Sequence, residues 1–167
     1  LSKFISMGLP ADGFKLVICN FAFHYFLGSN GSLRHLIGLL DKILAPGGRF
    51  LFTAFDGASI IRLLNENDLN WTVKVSDQTQ YSIKVDNAKK ILLEEIGQAI
   101  DVWLPFSSGY YREYLVNIDY VAIEFAKKGF SLEINEGFGE HLDAFNKDNY
   151  KVAQQLTKED KEYVSLY

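Results

Sequence analysis

Two apolar runs of strand length, each followed by an amphipathic helix, constrain this chain more than any other feature. Phe14 to Asn20, "FKLVICN", is a continuous apolar run rather than an alternating one, the pattern of a parallel strand covered on both faces. Ser29, Asn30 and Ser32 offer N-caps for a helix in which Leu33, Leu36, Ile37, Leu40 and Ile43 or Leu44 share one stripe. Ala45 to Gly48, "APGG", predicts the stop: proline cannot continue a helix, and the glycines supply a left-handed residue. "RFLFTAF", Arg49 to Phe55, is the second strand, and Asp56 caps a second helix in "DGASIIRLLNEN". Strand, helix, strand, helix in that order predicts a parallel sheet with helices packed on its faces.

The middle of the chain changes period. "WTVKVS", "YSIKVD" and "KKILLEEI" read as short strands of alternating polarity, and "GQAIDVWLPF" as another. "YYREYLVNIDYVAIEFAKKG" reads as one helix, with a stripe through Leu115, Ile118, Val121, Ala122 and Phe125 and a stop at Gly129. "FSLEINEGF" reads as a strand. "TKEDKEYVSLY" begins as a capped helix and turns apolar, as if entering a last strand. No repeat or linker divides the chain, so residues 1–167 read as a single domain.

Composition narrows the partners. With 48% hydrophobic residues the chain can bury a core, and its formal net charge of −4 leaves no broad basic surface for non-specific grip on nucleic acid. Local phosphate contacts stay open. The single Cys19 cannot form an internal disulfide, which fits a reducing compartment. No apolar run reaches the roughly 20 residues of a membrane span. The chain starts at Leu1 with no glycine-rich loop before its first strand and ends at Tyr167 within an apolar run. It therefore reads as part of a longer polypeptide, expected to leave one side of its sheet uncovered.

In open α/β sheets ligands sit beyond the carboxyl ends of the strands, which here are Asn20 to Tyr25 and Thr53 to Gly57. An amide, an imidazole and a phenol (Asn20, His24 and Tyr25) among Phe21, Phe23 and Phe26 make the first tip unusually polar for its setting. A lone histidine there is most simply a core residue bonded to a carbonyl. Glu113 is by default an acid favoured near a helix N-terminus, and Tyr167 an ordinary aromatic strand residue. His35 and His141 read as surface residues, and no His, Cys and carboxylate set has metal-ligand spacing.

Three short motifs tilt that balance. "NFAFHYF" resembles the "QFAFHY" motif of mRNA cap guanine-N7 methyltransferases, "YREYLVNID" resembles that family's "PEFLVYF" segment, and "YVSLY" its C-terminal tyrosine strand. The "FDG" at Phe55 to Gly57 looks more like capping enzymes of large DNA viruses than cellular ones. The resemblance implies a Rossmann-like class I methyltransferase sheet, its N-terminal strands missing here, with an inserted small antiparallel region over about residues 71–104. It implies S-adenosyl-L-methionine as cofactor, met by Asn20, Phe21 and Tyr25. It implies a 5′-capped RNA end (GpppN) as substrate, its guanine held by His24, Tyr25, Glu113 and Tyr167. No general base is implied, because guanine N7 carries a lone pair and no proton; His24, Tyr25 and Glu113 would orient rather than transfer protons.

Departures accompany the resemblance: Asn20 stands where the family has glutamine, and Phe55 and Asp56 where cellular members have proline and asparagine. The family's donor-binding loop, its ribose-binding acid and its lysine-bearing segment would lie upstream of Leu1. Fused or associated triphosphatase and guanylyltransferase domains, or a small stimulatory subunit, would be expected partners, with no membrane. The location would be cytoplasmic for a viral protein and nuclear for a cellular one. Two rival readings share the fold: a small-molecule methyltransferase, and a methyltransferase-like module that binds without catalysis.

Overall fold

In a computed structural model of the protein, residues 10–86, 89–148, 154–164 and 166–167 are described, with residues 6, 8 and 151 besides. Strand β1, Phe14–Asn20, pairs in parallel with β2, Leu44–Thr53. Between them come a 3₁₀ turn, Phe23–Gly28, and helix α1, Asn30–Ile43, whose Ser29 cap accepts from the Ser32 amide. The stop differs in detail from the sequence reading. Leu44 is already extended and pairs with Phe14, and of the "APGG" residues only Gly47 is left-handed. The residue before a proline avoids helical ψ, so the chain turns directly into β2.

Alternation sorts this two-stranded sheet. Val17, Cys19, Phe50 and Phe52 pack against the 3₁₀ turn and α1 in one core. Leu16, Ile18 and Leu51 on the other face are exposed, Ile18 by 55%. The continuous apolar run predicts cover on both faces of β1; among the described residues one is covered.

Helix α2, Gly57–Glu66, is capped by Asp56, whose carboxylate accepts from the Ala58 and Ser59 amides. An antiparallel sheet follows in the order β3 (Asn70–Val75), β4 (Gln78–Lys84), β5 (Ala99–Trp103) and β6 (Tyr111–Tyr114). Ser76 and Asp77, both at positive φ, close the β3–β4 hairpin as a two-residue turn. Its inner face, with Trp71, Ile83, Ile100 and Val102, forms a second core with α2.

Three sequence expectations fail here. "KKILLEEI" is not a strand. Asn65 bonds both the N–H and the C=O of Ile91, and Gln98 takes the Leu92 carbonyl and Glu94 amide, so side chains satisfy what a ladder would have satisfied. "FSLEINEGF" joins no ladder among the described residues; Leu132 and Ile134 are exposed, and Glu133 pairs with Arg49. "YYREYLVNIDYVAIEFAKKG" is not one helix. Its first part is β6, and helix α3 spans only Ile118–Ala126, started by the Asn117 side chain accepting from the Tyr120 amide.

The C-terminal part holds α4, Phe138–Asp148, which the sequence reading does not foresee, and α5, Lys158–Val164. Thr157 and Asp160 cap α5 reciprocally. The tyrosine segment is not a strand: Tyr163 and Val164 end α5, and Leu166 and Tyr167 follow in a turn, with Ser165 outside the described residues. No helix among the described residues is long and apolar enough to cross a membrane.

Candidate functional site

Close approaches fix where the two sheets meet. Gly57 lies so near the chain leaving β6 that a Cβ on it would stand 2.4 Å from the Val116 carbonyl oxygen. Its amide donates to that oxygen, and the Asp56 amide donates to the Leu166 carbonyl. Gly28 is packed against the Tyr114 ring, and the Gly97 amide donates to the Leu27 carbonyl. The 3₁₀ turn after β1 is thereby pressed onto β6, which brings residues from far apart in sequence together.

The result is a buried acid–imidazole pair. His24 Nδ1 stands 3.6 Å from Glu113 Oε2, and each residue is 6% exposed. That is longer than a hydrogen bond. Burial pulls the imidazole down from its ordinary 6.5 to about 4 and pushes the carboxyl from 4.5 up to about 7. The imidazole is therefore neutral at pH 7 and the contact is not an ion pair. His24 Nε2 is buried with no hydrogen-bond partner among the described groups. An orphaned ring nitrogen beside a buried acid is a poor choice for stability and a ready one for binding.

Aromatic rings surround the pair. Tyr25, 57% exposed, tilts against the His24 ring with centroids 4.1 Å apart, on the solvent side. Tyr111 lies on β6; its hydroxyl is pushed up to about 12, first by burial and then by the Glu113 charge. Tyr167 and Tyr163 are raised as well, mainly by burial and also by the field of Glu113. Tyr167 stacks on Phe55 at 4.2 Å and meets Phe21 edge-on at 5.1 Å.

Phe21 itself is strained. It sits at φ 51 with its amide donating to the Thr53 hydroxyl at 2.9 Å, and is half exposed. A bulky residue at positive φ is an outlier held by its surroundings, and such outliers concentrate at ligand sites. Asn20 is exposed at the end of β1.

The structure thus gathers His24, Tyr25 and Glu113 at one point and Phe21 and Tyr167 beside it, with Asn20 on the adjoining strand end. One correction concerns Glu113: it is not on a helix but on the edge strand β6, beyond the 71–104 range expected for the inserted strands. Sequence reasoning misses Tyr111 and Tyr163. The period-two series Tyr111, Glu113, Leu115 is the available signal for a strand carrying Tyr111 inward with the acid. A cavity of about 440 Å³ lies at the β2 tip, lined by Thr53, Phe55, Asp56, Glu136, Phe138 and Tyr167 among others. It does not reach His24 or Glu113; Tyr167 borders both places. No set of three His, Cys, Asp or Glu residues among the described ones is arranged to hold a metal.

These features define a mixed α/β protein with a buried acid–imidazole pair beside the carboxyl ends of two parallel strands. Sequence comparison adds named relatives. The chain is 34% identical, over 165 residues and 96% of its length, to the mRNA-capping enzyme of African swine fever virus strain Badajoz 1971. It is 36% identical over 168 residues to the mRNA-capping enzyme of the Pig/Kenya/KEN-50/1950 isolate. It spans about a fifth of the length of these relatives, 19% in each case. No family model matches the chain.

Proposed function

We propose that this chain is the guanine-N7 methyltransferase portion of an mRNA-capping enzyme, acting on the 5′ cap guanine of RNA. The observation that carries the reading is the buried pair: a carboxyl on β6 lies 3.6 Å from His24 Nδ1 at the β1 tip, while the other ring nitrogen, Nε2, is buried without a partner among the described groups. Guanine presents two adjacent donors, N1–H and the N2 amine, beside an acceptor, O6. A carboxylate accepts from the two donors, and a neutral imidazole N–H donates to O6. The relatives named mRNA-capping enzymes support the substrate class, and the two parallel strands with their intervening helix are compatible with a Rossmann-like methyltransferase sheet.

The chemistry asks for no proton transfer. S-adenosylmethionine, when bound, supplies an electrophilic methyl group. The residues that suit it are Phe21, an exposed aromatic face held by strain at the strand tip, with Asn20 and Tyr25. Glu113 would orient N7 by fixing the opposite edge of the base, and its charge would favour the cationic ring that develops on methylation. Tyr25 and Tyr167 would offer ring faces and exclude water. With a carboxyl raised to about 7, base binding should draw the proton off Glu113, since only the carboxylate accepts from both donors.

The test is methylation of GpppRNA by the full-length protein carrying Glu113→Ala or His24→Ala. Both should lose at least tenfold in rate, in keeping with the loss of charge-assisted hydrogen bonds to a base. Near-normal rates for both remove the claim. Methyl transfer that no cap analogue inhibits would favour a small-molecule substrate instead.

A further inference from the structure

The antiparallel sheet has a second face that the guanine site does not use. Alternation puts Trp71, Ile83, Ile100 and Val102 inward, and Thr72, Lys74, Ser82, Lys84, Trp103 and Arg112 on the outer side. The outer side has built features. Tyr110, just before β6, lays its ring across the strands, donates its hydroxyl to Ser82 at 2.9 Å and lies 5.8 Å from the Trp103 ring. The Ser82 hydroxyl also shares a hydrogen bond with Thr72 at 2.8 Å. Trp103 is anchored by its indole N–H to the Thr79 carbonyl. The two rings are thus fixed in place while Tyr110 remains 44% exposed.

Charge on this face runs against the chain's net −4. Lys84 stands over the Tyr110 ring at 4.2 Å, and Lys74 is exposed on β3. Neither lysine is in an ion pair among the described residues. The acid of this face, Asp101, is engaged by Arg112 at 3.4 Å. Three cations and one acid flanking two anchored aromatic rings complement a strand that carries regular negative charge and stackable bases.

We infer that the outer face of the β3–β6 sheet binds single-stranded RNA, the body of the chain whose capped end would enter the guanine site. Trp103 and Tyr110 stack on bases, and Lys74, Lys84 and Arg112 meet phosphates. The choice of RNA rests on the cap reading above; the stacking and charge argument does not.

Trp103 is its own reporter. Of the two tryptophans, Trp71 is buried in the core and Trp103 lies on the proposed surface. Titrating the full chain with an uncapped oligouridylate should quench fluorescence, and Trp103→Phe should abolish that signal. Affinity measured with a labelled oligomer should fall about tenfold or more on Trp103→Ala, the scale of unstacking one base from one ring. Lys74→Glu with Lys84→Glu should also flatten the salt dependence by about 0.7 in log–log slope for each phosphate no longer neutralised. Cap-analogue binding, measured separately, should be unchanged in the lysine variant and lost in Glu113→Gln, whose oligomer binding should stay normal. Retained cap binding also shows that the lysine variant is folded. Oligomer affinity unchanged in both the Trp103→Ala and lysine variants overturns the assignment. So does equal affinity for duplex RNA or for polyglutamate, which would mean charge without stacking. Failure of cap binding alone sinks the guanine reading and leaves this one standing on oligomer binding.

Discussion

Replacing Glu113 with glutamine separates the cost of the buried acid from its use. Burial raises this carboxyl from 4.5 to about 7, so the folded state holds the proton more tightly than the unfolded state. A group raised in this way contributes most below its unfolded value, and its contribution is lost as pH rises through the folded one. At ~1.4 kcal/mol per pH unit, the ionised side chain costs the fold about 3 kcal/mol at pH 8 and about 1 kcal/mol at pH 5. Glutamine keeps the shape and never ionises. Glu113→Gln should therefore be more stable than the parent by about 3 kcal/mol at pH 8, with the gap shrinking to about 1 kcal/mol at pH 5. Urea unfolding followed by circular dichroism at the two pH values measures it. The same variant should lose cap-analogue binding by about ten- to a hundredfold, because the amide presents a donor where guanine also has donors. A gap that is equal at both pH values, or reversed, would refute the account of Glu113 as a desolvated acid.

Other outcomes follow from the same geometry. In the parent, His24 is lowered to about 4 and so loses stability as pH falls from 6.5, while Glu113 gains over nearly the same interval. Folded and unfolded states of the pair then bind the same number of protons between about pH 4.5 and 6.5, and the pair adds no slope there. His24→Gln removes one arm, so the variant's stability relative to the parent should rise as pH falls from 7 to 4.5, as seen in denaturation midpoints against pH. Gly57→Ala places a methyl 2.4 Å from the Val116 carbonyl oxygen and should cost about 1–3 kcal/mol by forcing the two sheets apart, measured by thermal unfolding. Thr53→Val deletes one of the two acceptors of the strained Phe21 amide and leaves it the Thr53 carbonyl; about 0.5–1 kcal/mol of stability should go, and on the methyltransferase reading the methyl-donor KM should rise more than kcat falls.

Local sequence was enough for the elements whose stabilising groups are neighbours in the chain. The caps Ser29 and Asp56 bond amides within three residues, and the stripe of α1 buries the leucines its spacing selects. The two alternating runs of the β3–β4 hairpin were legible, although the turn falls at Ser76 and Asp77, and Asn20, His24 and Tyr25 stood out as polar groups in an apolar strand tip; Glu113 read alone was an ordinary helix acid, singled out only by the motif resemblance. What the chain order could not settle was decided by partners far away. "YYREYLVNIDYVAIEF" satisfies both periods until β5 supplies a ladder for Tyr111–Tyr114 and Asn117 starts a helix after it. "KKILLEEI" alternates like a strand, but Asn65 and Gln98 occupy the backbone groups a neighbouring strand would have needed. The meeting of an imidazole at position 24 with an acid at position 113 depends on Gly57 letting the Val116 backbone approach and on Gly28 leaving room for the Tyr114 ring. Side-chain identity was written in the sequence; the low dielectric that lowers the imidazole and raises the carboxyl exists only once packing has removed the water.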